Sequence, residues 1–260
     1  MIFDSPISLT DAVKILLARN IMPTSLDTDG LRALDAALRN QSFFSAQTLN
    51  PYLLQVYRDR IGGILNPVPA AGEVTTPFNP AYTRAAIKDL LAEVGYKPKP
   101  EDAGTLKDLS SDARINLVIK TNIELSEGQG MWMQTQQAAL LDEWPAWELF
   151  RAEARVNVRD WINRFRLAGS QTGDPIGTGW IITPDFRMIA LKNHPIWEEL
   201  GSSENFNDAL DTVWPPFAFN SGMWVRDVDR DETESLGLIK RGQQVQPRSL
   251  ADALKKEEAA

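Results

Sequence analysis

Cysteine is absent from the 260 residues, and histidine occurs once, at His194. Without thiols there is no disulfide, no thiolate nucleophile and no cysteine-held zinc or iron–sulfur cluster. One imidazole excludes every site that needs two. Long apolar runs are missing as well, none reaching the roughly 18 residues a membrane span needs. The opening Met1-Ile2-Phe3-Asp4-Ser5-Pro6 lacks the basic segment, apolar stretch and cleavage site of a secretory leader, so synthesis and folding in the cytosol are expected. Basic charge is also short: 27 Lys and Arg face 35 Asp and Glu, a net charge of −8. That balance weakens a tight, sequence-independent grip on DNA, which depends on cations that neutralise phosphates and release counterions.

What is present suits a folded protein. A hydrophobic share of 43% with 24% charged residues is ordinary for globular chains, and the length allows one large domain or two smaller ones. Helical spacing dominates the first 140 residues. Ser8-Leu9-Thr10-Asp11 resembles a capping box ahead of Leu9, Val13, Leu16 and Leu17. Asp27 to Gly30 leads into a second helix through Leu31, Leu34, Ala37 and Leu38, and a third runs from about Asn50 to Leu65 with Pro51 in its first turn. Asn79-Pro80 starts another, which Gly95 stops. The longest helix is expected over Ser111 to Ala139.

The pattern changes at Trp144-Pro145. Phe150 to Val158 alternates strictly and reads as a half-buried strand; a helix presenting Arg151, Arg155 and Arg159 in a row is the alternative. Trp180–Ile182 and Met188–Leu191 read as short strands, and the last 35 residues, with seven basic and eight acidic side chains, as a solvated tail with a helix near Arg230–Leu238. The expected class is therefore α+β: a helical N-terminal half, then a small mixed α/β domain with short antiparallel strands. The expected divisions are residues 1–100, 101–240 and a flexible charged tail at 241–260.

Chemistry-bearing motifs are weak. Asp227-Val228-Asp229-Arg230-Asp231 has the alternating acids of a calcium loop, but it lacks the glycine and has Leu238 where the bidentate glutamate belongs. Gly173 to Gly179 is glycine-rich without a following Lys-Ser/Thr or helix, so it reads as a turn. His194 has no nucleophile elbow beside it. No catalytic, cofactor-binding or metal-ligating residue is assigned. Arg151, Arg155, Arg159, Arg164 and Arg166 form the strongest charge cluster, a candidate contact for DNA or an acidic partner, with arginines lying over their own domain surface as the alternative. Among the eight tryptophans and other aromatics, Trp161, Trp197, Trp214, Phe217 and Phe219 are candidate interface anchors.

Four strings resemble one family. Arg114-Ile115-Asn116-Leu117-Val118-Ile119-Lys120-Thr121-Asn122, ending in Gly128-Gln129-Gly130-Met131-Trp132, resembles the central helix of phage head-morphogenesis, or minor head, proteins of the Mu F-like class. Ser42-Phe43-Phe44-Ser45-Ala46 is similar to a segment of prophage members. Met188–Asn193 and Pro215–Met223 resemble the segment that closes the domain. The similarity spans roughly residues 40–240. Many relatives follow the Pro-Pro with Cys-Arg-Cys; Asn220-Ser221-Gly222-Met223 stands here instead, so no metal or redox role transfers.

The resemblance implies a structural, non-enzymatic virion component in the head near the portal vertex, present in the host cytoplasm during assembly. Its implied partners are the portal and other head proteins and, weakly, packaged DNA; a multi-copy or oligomeric state is expected, and no membrane contact or cofactor. A portal-adjacent adaptor or other capsid protein is the alternative, and a maturation hydrolase the third.

Overall fold

The computed structural model describes residues 10–66 and 80–254. The chain forms two compact units, Met1–Gly130 and Met131–Ala260. The division lies well past the expected one at residue 100, because Ile115, Val118 and Ile119 join the core of the first unit. No helix among the described residues is long and apolar enough to cross a membrane.

The first unit is helical: α1 (Thr10–Ala18), α2 (Thr28–Arg32), α3 (Ala36–Gln41), α4 (Pro51–Leu65), α5 (Pro80–Glu93) and most of α6 (Asp112–Thr135). Two short strands, β1 (Asn20–Ile21) and β2 (Ser42–Phe43), pair in parallel. Local chemistry sets the boundaries. The Asn50 side chain accepts from the amides of Tyr52 and Leu53 and Pro51 fills the first turn of α4. After α5, Gly95 takes φ +73° while Tyr96 N–H returns to the Leu91 carbonyl and Gly95 N–H to that of Ala92, which satisfies the last carbonyls of the helix. The expected helix through Leu31–Leu38 is two: Asp35 accepts from the Leu38 amide and restarts the chain as α3. Ser8, Leu9 and Asn79 lie outside the described residues. Leu16, Leu54, Ile61, Ile87 and Ile115, all fully buried, meet in this unit's core.

The second unit is α+β. Its strands are β3 (Ala146–Arg151), β4 (Trp180–Ile182), β5 (Met188–Leu191) and β6 (Met223–Val228), antiparallel throughout in the order β4-β5-β3-β6. Its helices are α7 (Ala138–Glu143), α8 (Trp161–Gln171), α9 (Ile196–Gly201), α10 (Arg230–Ser235) and α11 (Leu250–Leu254). One sheet face sends Trp147, Leu149, Met188, Ala190 and Val225 into an aromatic core with Trp161, Phe165, Trp180, Trp197, Trp214 and Phe217. The other packs Ala146, Ile189 and Val228 against Leu238.

Three expectations need correction here. The strand expected over Phe150–Val158 begins earlier and ends at Arg151, because its antiparallel partner β6 begins only at Met223; the amides of Ala152 and Glu153 both go to the single carbonyl of Gly222, and Val156 is fully exposed. The long helix expected to reach Ala139 stops at Thr135, whose hydroxyl donates to the Trp132 carbonyl, and α7 follows as a separate turn. The described part of the expected flexible tail is packed: Val245 and Ala253 are buried, and Arg248 pairs with Glu198 at 2.9 Å.

Candidate functional site

The five arginines singled out in the sequence divide into two groups. Arg155, Arg159 and Arg164 converge on the chain between α9 and β6. Arg159 Nε and Arg164 Nη1 each lie 2.6 Å from a different oxygen of Asp208. Arg159 Nη2 donates to the Phe219 carbonyl at 2.7 Å, and Arg155 Nε to that of Asn220 at 3.1 Å. The three guanidinia thus form a ladder bridged by one carboxylate and two backbone carbonyls. Arg164 is buried, with its guanidinium over the rings of Phe206 (4.0 Å) and Trp161 (4.8 Å). Gly222, at φ +67°, closes the end of the ladder: a Cβ there would stand 2.6 Å from the Glu153 carbonyl oxygen. Arg151 and Arg166 are exposed. The ladder holds the fold's own loop, so three of the five candidate contacts are turned inward by acceptors that the sequence pattern does not display.

The proposed anchors behave similarly. Trp161, Trp197, Trp214 and Phe217 are between 0 and 4% exposed, and only Phe219 is half-buried. Trp197 stacks on Phe217 with centroids 5.6 Å apart and donates its indole N–H to the Leu191 carbonyl at 2.8 Å. Trp161, Trp197, Trp214 and Phe217 pack in the aromatic core of the second unit, a correction to their expected role as interface anchors.

Sequence reading missed the ionic groups inside the sheet. Glu148, on β3, is 4% exposed. Its Oε2 accepts from Arg187 Nε (3.0 Å) and Nη2 (2.7 Å), and its Oε1 from Arg226 Nη2 (2.7 Å). Burial alone would raise this carboxyl, but the two guanidinia outweigh it and hold it below the ordinary range. Lys192, just after β5, is buried with Nζ 2.7 Å from Asp227, which also accepts from Trp147 Nε1 at 3.1 Å. Burial lowers the ammonium's pKa and Asp227 only partly restores it. The signal available was the charge set inside or beside an otherwise apolar run, Trp147-Glu148-Leu149 and Ala190-Leu191-Lys192.

His194 is buried, accepts the Ile196 amide at Nδ1 (3.1 Å) and turns Nε2 towards Asp174 at 3.3 Å. Its Nε2 therefore carries the proton in the neutral form. Gly179 must lack a side chain because its Cβ would stand 2.7 Å from the imidazole. The glycine-rich segment is a turn feeding β4, with Gly173, Gly177 and Gly179 all at positive φ. Of the acidic run, Asp227 pairs with Lys192 and Asp229 caps α10. No group of three or more His, Asp or Glu among the described residues is arranged to hold a metal ion.

No protein-family model, curated protein or solved structure matches the chain. The geometry of its own side chains therefore carries the functional argument. In the second unit that geometry is a set of ion pairs, Glu148 with Arg187 and Arg226, Arg164 with Asp208 and Lys192 with Asp227, beside a neutral His194 that faces Asp174.

Proposed function

We propose that this chain is a structural, non-catalytic protein of a tailed-phage particle: a minor head protein that sits near the portal vertex and acts with the portal in head assembly and DNA packaging or ejection. The observation that carries the reading is that the strings behind the resemblance are tied together in pairs, the first two directly and the last two through Trp197. Arg114, which opens the Arg114–Trp132 string, donates to Ser45 Oγ at 2.6 Å and to the Ala46 carbonyl at 2.7 Å, both in the Ser42–Ala46 string. Leu191 of the third string receives the indole of Trp197, whose ring stacks on Phe217 of the fourth. Residues that fix one another in this way mark a fold signature, which supports common architecture with the family more than a shared active site would.

The non-catalytic part of the proposal is supported by the use of ionisable groups. Glu148, Arg164 and Lys192, buried in the second unit, each face a partner of opposite charge, and the neutral His194 turns its ring N–H towards Asp174. Contact with packaged DNA belongs to the same proposal and runs through the exposed Arg151 and Arg166. Two neutralised phosphates correspond to a slope of about −2 in log affinity against log salt.

The test is co-expression of the tagged chain with the portal and major capsid protein of its phage, followed by mass-spectrometric copy number in purified particles. Incorporation at fewer copies than one portal ring is expected. A full ring would indicate an adaptor, a shell's worth of copies a capsid subunit, and failure to enter particles would overturn the reading.

A further inference from the structure

The connection from β4 to β5 closes on a three-residue loop, Pro184-Asp185-Phe186. The Phe186 amide donates to the Thr183 carbonyl at 2.9 Å, and the Thr183 amide to the Arg187 carbonyl at 3.0 Å. In a hairpin loop of this length the last position is left-handed, and glycine is the residue that fits it. Phe186 stands there instead, at φ +66° and 64% exposed. Phe217 shares that backbone conformation, at φ +59°, but it is fully buried and stacked on Trp197, so packing inside the chain offsets its strain. Phe186 has no comparable packing within one chain.

The topology brings other exposed apolar residues to the same end of the sheet. Leu149 is the last residue of β3 paired with β5, opposite Met188, and β3 runs on to Arg151, opposite Met223, where β6 begins. The β4–β5 loop, the end of β3 and the start of β6 therefore share one end. The chain leaving β3 is fixed there at two feet: Arg155 Nε and Arg159 Nη1 donate to the same Asn220 carbonyl, at 3.1 and 3.3 Å. Between those feet Val156 is 100% and Val158 66% exposed. Val156, Val158 and Phe186 are the most exposed large apolar side chains among the described residues of the second unit, and all belong to this end. One charge of each sign accompanies them. Arg151 and Asp185 are both exposed, and neither forms a salt bridge among the described residues.

We propose that this end of the sheet is the contact surface between two copies of the chain, related by a two-fold axis. A two-fold contact sets one patch against itself, so the patch must be self-complementary. Here the exposed valines and the phenyl ring meet their own image, and Arg151 of each copy stands against Asp185 of the other. A polyanion would be met by cations alone, whereas this end carries both signs. Burial against the second copy gives Phe186 the packing that its backbone strain lacks within one chain. Three side chains from each copy fall short of the roughly 1,200 Å² that stable interfaces bury, so the pairing is weak and depends on concentration. The inference goes beyond the virion reading and does not depend on it; a paired copy keeps Arg166 free for the DNA contact proposed there.

The test is sedimentation equilibrium of the full-length chain between about 2 and about 200 µM. The mass is expected to move from that of one chain, 29.0 kDa, towards twice that value. Val156→Asp alters a side chain that touches nothing in its own fold and should weaken the association about tenfold or more. Phe186→Asn should weaken it likewise, while raising the Tm of the dilute chain by about 2–5 °C, because asparagine accepts the left-handed backbone. Arg151→Asp should also weaken it, and adding Asp185→Arg in the same chain should restore it. The mass of a single chain at every concentration, association undiminished in Val156→Asp or Phe186→Asn, a lower Tm for Phe186→Asn, or a charge swap that restores nothing would each overturn the proposal. Should the swapped chain not fold, Arg151→Asp alone decides: weakened association supports the contact and undiminished association overturns it.

Discussion

Replacing Glu148 with Gln keeps the side chain's shape and removes its charge. The wild-type carboxylate accepts three charge-assisted hydrogen bonds from Arg187 and Arg226 at 2.7–3.0 Å. Bonds to a charged group contribute about 1.5–3 kcal/mol each. Arg226 is 58% exposed on its side chain, so its share is discounted for solvent screening, while Arg187 is 30% exposed and fixed at both ends by Glu148 and Glu232. Glutamine still offers one acceptor oxygen. The expected loss is about 3 kcal/mol, the lower part of the range for breaking a buried pair, or roughly 10 °C in the Tm of a unit this size.

All eight tryptophans, from Trp132 to Trp224, lie in the second unit, so urea unfolding followed by tryptophan fluorescence reports that unit alone. The pH dependence supplies a second check. The folded Glu148 carboxyl is held below its ordinary value of 4.5. Its contribution is therefore fully present above that value and is lost as pH falls through the depressed folded one. The gap between wild type and Glu148→Gln should close on acidification. A loss under about 1 kcal/mol, or a gap that stays constant into strong acid, would refute the reasoning. Replacing Glu148 and Arg187 together by leucine should cost less than the sum of the single changes, since the charges left without these partners, Arg226 and Glu232, are the solvent-accessible ones.

Asp208→Ala strips the carboxylate from both Arg159 and Arg164 and should destabilise the second unit by about 3 kcal/mol, whereas Arg166→Ala, on an exposed side chain, should stay within about 0.5 kcal/mol; chemical denaturation compares the two. Gly201→Ala would drive a Cβ into the Thr212 carbonyl oxygen and should cost about 2–3 kcal/mol, visible as a lower unfolding midpoint. His194 is the sole histidine, so its imidazole proton resonance can be titrated without assignment. Burial outweighs Asp174 and holds it below 6.5; stability should fall as pH drops below that value, because the unfolded chain takes the proton first, and a measured midpoint above it would contradict the buried, neutral imidazole.

Some of this fold was legible in the sequence because its cause is local. Asn50-Pro51 caps and starts α4, and Gly95 ends α5, through bonds that span only a few residues. The end of β3 was not legible, since the alternation continues through Val158 while the antiparallel partner strand, more than seventy residues further along, starts only at Met223. Strand length is a property of the pair. The arginine cluster was visible as a charge pattern, yet its destination was not: backbone carbonyls such as those of Phe219 and Asn220 accept hydrogen bonds whatever the side chain. Glu148 was hidden for a different reason. A charged residue inside a strand pattern signals a solvent face, and here its face is covered by the segment carrying Glu232 and Leu238.

The buried charges also bear on how the sheet chooses its register. Glu148 stands directly opposite Arg226, and Trp147 opposite Asp227, on β3 and β6. A slip of one residue would set Glu148 against Asp227, or against Val225, and would turn every side chain of β6 to the other face. A slip of two keeps the faces but puts Trp224 or Val228 opposite the carboxylate in place of Arg226. Each alternative leaves a nearly solvent-free Glu148 with fewer cations, and the cost of an uncompensated buried charge exceeds that of a misplaced apolar contact. Apolar pairing alone discriminates these registers poorly, because Met223, Val225 and Val228 are all acceptable against a hydrophobic core. The Glu148–Arg226 and Trp147–Asp227 pairs, adjacent and pointing to opposite faces, together penalise every near alternative, which gives these polar groups a structural purpose inside an otherwise aromatic domain.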